Sequence, residues 1–89
     1  MNKLFISGSV GADPEVSYTP RGQKILMFPV RVDEGDFSVD VIYAGAQGET
    51  GPETTTGRRI LVAGMLTRTK TGSRDVLKVK ASKIFSMEE

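Results

Sequence analysis

Between Arg58 and Lys83 the chain reads RRILVAGMLTRTKTGSRDVLKVKASK. With the two-residue repeat of a strand, Ile60, Val62, Gly64 and Leu66 fall on one side and Leu61, Ala63 and Met65 on the other. The run from Arg59 to Lys70 therefore predicts a long strand, apolar on both faces and buried on both. Thr71-Gly72-Ser73 supplies a turn, and Val76, Leu77 and Val79 interleaved with Lys78 and Lys80 predict a returning strand. The pair makes a hairpin with a basic tip.

The same alternation marks the strands upstream. Lys3 to Val10 predicts a first strand with Leu4 and Ile6 on one side, Phe5 on the other, and Gly8 at a bulge or bend. Gly11-Ala12-Asp13-Pro14 is a turn, and Glu15 to Tyr18 a brief extended piece that continues the first strand around a corner, as a small barrel requires. After the turn Thr19-Pro20-Arg21-Gly22, Lys24 to Val32 sets Leu26, Phe28, Val30 and Val32 as the core face against Ile25, Met27, Pro29 and Arg31. Pro29 has no N–H, so the strand must bulge there or point that position away from its neighbour. Beyond the acidic turn Asp33-Glu34-Gly35-Asp36, Phe37 to Ala44 predicts a third strand, with Phe37, Val39, Val41 and Tyr43 opposed to Ser38, Asp40, Ile42 and Ala44. Gly45 to Gly57 shows no hydrophobic period and reads as a mobile loop, not a helix. At the other end Ile84, Phe85 and Met87 are placed to close a barrel.

A chain of 89 residues is one domain, 1–89, with room for a single small core, and domains of this size gain stability by associating. It contains neither Cys nor His, which removes disulfides, thiolate and imidazole metal sites, and the commonest acids, bases and nucleophiles. No two carboxylates stand at a spacing suited to acid–base work, so no enzymatic activity and no cofactor are expected. The turn Asp33–Asp36 is far shorter than a calcium-binding loop and lacks its terminal bidentate Glu, so it reads as a solvated turn and no metal site is expected. The start Met1-Asn2-Lys3-Leu4 is unlike a secretory signal and no apolar run approaches a membrane span, which leads to the expectation of a cytoplasmic protein with no membrane partner.

The net charge of +1 conceals a polarised molecule. Arg58, Arg59, Arg68, Lys70, Arg74, Lys78, Lys80 and Lys83 crowd the hairpin segment against Asp75 alone, whereas residues 1–57 are net acidic. Such asymmetry suits a chain that presents one hairpin to a polyanion; lysines that merely protect an exposed strand edge from aggregation are the plainer alternative. On the first reading Arg31, Arg68, Lys70, Arg74, Lys78 and Lys80 meet phosphates and Phe37 offers a ring to a base. Leu61, Ala63 and Met65 form a stripe that a lone barrel would turn outward, and a contact with another subunit would bury it.

The opening MNKLFISGSVGADPEVSYTPRGQKILMFPV resembles the start of bacterial single-stranded DNA-binding proteins, most specifically from Ala12-Asp13-Pro14-Glu15-Val16 through Tyr18-Thr19-Pro20 to Gly22-Gln23. Val41 to Gly45, Gly57 to Ile60 and Gly64 to Lys70 are similar to that family's third and fourth strands. The resemblance implies an all-β OB-fold, a five-stranded Greek-key barrel. It further implies a homo-oligomer, dimer or tetramer, with sheet faces and first strands pairing protomers, so that Leu4 and Ile6 join Leu61, Ala63 and Met65 as interface candidates. Sequence-tolerant binding of single-stranded DNA in replication, repair or recombination is the implied function. Departures stand beside the matches: the family's stacking aromatics give way to Ser38 and Ala44, Asp40 replaces a base, the joining helix gives way to the Gly and Thr loop, and no acidic, apolar tail follows. These losses are similar to the shorter, tail-less family of primosomal replication protein N, which implies the alternative of an accessory module that contacts replication-restart proteins.

Overall fold

The computed structural model describes residues 1–45 and 54–87. Among them the regular structure is all strand: β1 (Leu4–Val10), β2 (Glu15–Tyr18), β3 (Lys24–Val32), β4 (Ser38–Ala44), β5 (Arg59–Thr71) and β6 (Arg74–Ser86). They hydrogen-bond in the order β1-β5-β6-β4-β3-β2, and a further β1–β3 pairing closes the sheet on itself. All neighbours are antiparallel except β4 and β6, which run parallel. Most of the expected loop Gly45–Gly57 lies outside the described residues.

Closure is made at the seam between Gly8–Val10 and Val30–Val32, not by the C-terminal residues. Val10 pairs with Val30, Gly11 N–H donates to the Pro29 carbonyl at 2.9 Å, and Glu15 then pairs with Met27. β1 and β2 are thus one bent line along the same edge of β3, broken by the corner Gly11–Pro14, so the closed ring counts five strands although six are separately defined. Pro29 faces that corner. Its missing N–H lies on the same side as its carbonyl, and the β3–β4 ladder runs from Ile25 to Arg31 without a bulge. At Gly8 the two neighbouring strands converge: a Cβ there would sit 2.0 Å from the Arg31 carbonyl oxygen.

The turns follow their residues. Gly22 N–H donates to the Thr19 carbonyl at 2.8 Å, and Gly22 takes φ 83°, the three-residue hairpin whose last position requires positive φ. Gly72, at φ 65°, opens the two-residue turn between β5 and β6.

Inside the ring lie Val10, Phe28, Val30, Val41, Ile60, Val62, Val79 and Ala81. Leu4, Ile6, Leu26, Val39, Tyr43 and Ile84, partly buried, pack against this cluster. In so small a core each side chain matters: truncating Phe28 to Ala would cost about 3–5 kcal/mol. Two expectations change here. β5 is buried on its inner face only, since Leu61 and Ala63 are half-buried and Met65 is 43% exposed, because among the described residues no second layer covers the outer side. Of the residues expected to close the barrel, Ile84 turns inward whereas Phe85 is exposed.

Candidate nucleic-acid interface

The outer surface is set by strand parity. Phe28 and Val41 point inward, so their neighbours project outward as rungs shared by β3 and β4: Ile25 with Ala44, Met27 with Ile42, Pro29 with Asp40, and Arg31 with Ser38. The Met27–Ile42 rung continues through Lys80 on β6 to Met65 on β5. It makes one outward row across four strands. Ile25, Met27, Pro29, Ile42 and Ala44 are half-buried and give this face an apolar floor. Lys78 reaches across β4, and its ammonium donates to Met27 Sδ at 3.4 Å. Arg74, Val76, Lys78 and Lys80 share one parity, so Lys78 and Lys80 flank this floor and Arg74 stands on the same side of the ribbon at its tip.

Arg68 and Lys70 do not join them. They share the inward parity of Ile60 and Val62, and once β5 leaves the ring that parity becomes the other face of a free ribbon. There Arg68 stands opposite Leu77 and Lys70 opposite Asp75. Leu66 and Leu77 are 42% and 59% exposed on that face, and Arg68 lies 3.9 Å from the Asp75 carboxylate. The basic hairpin therefore has two chemically different sides, not one cationic surface. Asp75 weakens the side that carries Arg68.

The remaining candidates divide in the same way. Arg31 is on the outer face, and its guanidinium pairs with Asp36 at 2.9 Å in an exposed ion pair. Phe37 precedes β4 with inward parity and is 57% exposed; its ring lies over Gly35, where an added Cβ would come 2.4 Å from it, so the ring braces the β3–β4 turn beside the floor and does not form part of it. Leu4 and Ile6 pack on the core, because in β1 it is Phe5, 71% exposed, that points outward. Leu61, Ala63 and Met65 are outward, and with Phe5 they form an apolar face on β1 and β5. A groove of about 450 Å³ opens there, lined by Phe5, Ala63, Gly64, Met65, Lys80 and Ser82.

Phe85 reaches this outer face through a bulge that the alternation does not announce. Ala63 pairs with Lys83 but Gly64 with Ala81, so Ser82 is the additional residue, its Oγ donating to the Ala63 carbonyl at 3.0 Å. The shift turns Ile84 inward and Lys83 and Phe85 outward. Gly64 permits it: a Cβ there would stand 2.2 Å from the Lys80 carbonyl oxygen.

Two carboxylates hold the ring rather than the site. Asp33 accepts two hydrogen bonds from the Arg59 guanidinium, at 2.7 and 3.1 Å, and one from Ser7 Oγ at 2.9 Å. The Arg59 bonds, then that of Ser7, hold its carboxyl below the ordinary range. Asp13 is likewise lowered by Thr56, whose hydroxyl donates at 2.7 Å and whose N–H donates at 3.2 Å.

A five-strand ring with a parallel closing pair, a bent first strand and a protruding hairpin defines an all-β OB-fold. Among solved structures the chain is similar to the single-stranded DNA-binding protein of Thermus aquaticus, with 24% identity and a TM-score of 0.85 over 100% of this chain and 41% of that one. A deletion mutant of the same protein gives 24% identity and 0.85, over 100% of this chain and 42% of that one. The dimeric N-terminal domain of PriB from Thermoanaerobacter tencongensis gives 22% and 0.76, over 99% and 98%. At these identities the likeness shows the fold, and the chain spans well under half the length of the Thermus protein. No family model and no curated protein matches the sequence. No helix among the described residues is long and apolar enough to cross a membrane.

Proposed function

We propose that this protein binds single-stranded DNA, non-catalytically and with no cofactor, on the outer face of β3, β4 and β6. Arg74, Lys78 and Lys80 meet phosphates, with Arg31 at the edge, and bases lie on the floor of Met27, Pro29 and Ile42. The observation that carries this reading is the outward row Met27–Ile42–Lys80–Met65 with Lys78 laid over it: apolar contact and cations on one surface, of the kind OB-folds use for oligonucleotides. The fold shared with the single-stranded DNA-binding protein of Thermus aquaticus supports it. With no exposed aromatic ring on this floor, binding leans on phosphates and is strongly salt-dependent; each base–aromatic stack forgone is worth about 1–3 kcal/mol. Such a protein works beside cytoplasmic DNA in replication, repair or recombination.

Salt titration of oligo(dT) binding tests the site. Each neutralised phosphate contributes about 0.7 to the log–log slope, so Lys78→Ala with Lys80→Ala should flatten it by about 1.4. Arg68→Ala with Lys70→Ala, on the other side of the ribbon, should change it less. The opposite ranking would move the strand to the face of Leu66 and Leu77.

A second reading is favoured by the apolar outer face of Phe5, Leu61, Ala63, Met65 and Phe85. It seats another protein, most simply a second copy of this chain, as in the dimeric PriB domain. A replication-restart partner on the same face would give an accessory module in place of a homo-oligomer. Retention of a partner after nuclease digestion, with unchanged sedimentation of the protein alone, would favour the accessory module.

A further inference from the structure

The floor of the proposed strand-binding face carries one acid. Asp40 is exposed, points outward opposite Pro29, and stands between the Met27–Ile42 and Arg31–Ser38 rungs. Among the described residues its carboxylate makes no hydrogen bond and no ion pair. Lys78, its nearest cation by register, directs its ammonium to Met27 Sδ instead. A carboxylate so placed has no structural task. It holds two oxygens free to accept at the rim of an apolar platform.

Resting on the reading that the single strand crosses this face, we propose that Asp40 makes the site selective for bases bearing an amino group on their pairing edge, so that cytosine-rich strands are preferred to thymine-rich ones. A base lying on Met27 and Ile42 has its edge toward the next rung, about 7 Å along the strand, where Asp40 stands. An ionised carboxylate only accepts hydrogen bonds. The cytosine N4 amino group donates to it, as in the carboxylate–cytosine contacts of duplex readout. Thymine offers one ring N–H flanked by two carbonyl oxygens, and both oxygens repel the carboxylate. In unpaired strands these edges are exposed, so the discrimination needs no groove. Asp40 also repels phosphate, lowering affinity for every strand while separating the bases.

The test is an anisotropy titration of the full chain at pH 8, where oligo(dC) stays unfolded, using labelled oligo(dC), oligo(dT) and an abasic strand of equal length. The wild-type protein should bind oligo(dC) roughly fivefold more tightly than oligo(dT), the lower end of what one good base contact discriminates. Asp40→Asn, which offers both a donor and an acceptor, should bring that ratio close to one and tighten binding of the abasic strand. Asp40→Ala should do the same, and because Asp40 has no partner both variants should fold. Equal wild-type affinities, or a ratio unchanged in Asp40→Asn while all three strands bind more tightly, would show that Asp40 only repels and would overturn the proposal. Failure of all three strands to bind at low salt is a separate result, which removes the strand-binding reading itself.

Discussion

Asp33 shows how single residues hold this ring shut. Its carboxylate joins β1 through Ser7 and β5 through Arg59 at the turn that ends β3, beside the seam where the sheet closes. Its folded-state pKa lies below the unfolded value of about 3.9. The stabilisation is therefore complete above the unfolded value and is lost as pH falls through the folded one. Asp13, lowered by Thr56, adds to the same acid-side loss. Urea midpoints measured from pH 7 downward should fall below about pH 4, and Asp33→Asn should start lower at pH 7 and show a shallower acid decline. Equal acid dependence of variant and wild type would place the titrating group elsewhere. The partnership was not legible in the sequence: 26 residues separate Asp33 from Ser7 and from Arg59, and the turn could be read only as solvated.

At the scale of elements, β5 and β6 do two jobs with one alternation. Ile60, Val62, Val79 and Ala81 complete the core, and beyond the ring the same hairpin projects as a ribbon. The pivot is the bulge at Ser82 opposite Ala63 and Gly64. Gly64→Ala drives a Cβ into the Lys80 carbonyl oxygen, so thermal denaturation should report a loss of about 1–3 kcal/mol, whereas Gly45→Ala, whose Cβ would meet, among the described residues, only the Tyr43 ring at 3.7 Å, should be nearly silent. A neutral Gly64→Ala would mean that the bulge relaxes without cost. The strands themselves could be read from the chain because one face of each is core, and Phe28, Val30, Val41, Ile60 and Val62 kept their period of two. What could not be read was parity beyond an insertion. Counted straight through, Phe85 falls on the side of Val79, and only the extra residue Ser82 turns it outward. The faces of the hairpin's cations stay hidden for a related reason: charge counts along a segment carry no face, and the ribbon sets Arg68 and Lys70 on the side opposite Lys78 and Lys80.

The whole molecule is a ring whose interior is finished and whose exterior is not. Phe5, Met65 and Phe85, exposed by 71%, 43% and 48%, border half-buried Leu61 and Ala63 and the groove over Gly64, and this surface lies on β1, β5 and the end of β6, meeting the row from the Met27–Ile42 floor at Lys80 and Met65. An apolar surface of this kind is costly to leave in water on a domain with so small a core. A second copy seated there would cover Phe5 and Met65 and leave Asp40, Lys78 and the Met27–Ile42 floor open, so association and strand binding share only the border at Lys80. Sedimentation should show a species heavier than the monomer at micromolar concentration. Phe5→Glu, which changes no core residue, should shift it to monomer while leaving the affinity for a strand short enough to occupy one copy within about twofold. If instead Phe5→Glu weakened short-strand binding as severely as Lys78→Ala with Lys80→Ala, the aromatic face would be part of the strand's path and the division of the surface argued above would be wrong. A wild-type monomer at these concentrations would leave the face to a different partner and remove the homo-oligomer from the account.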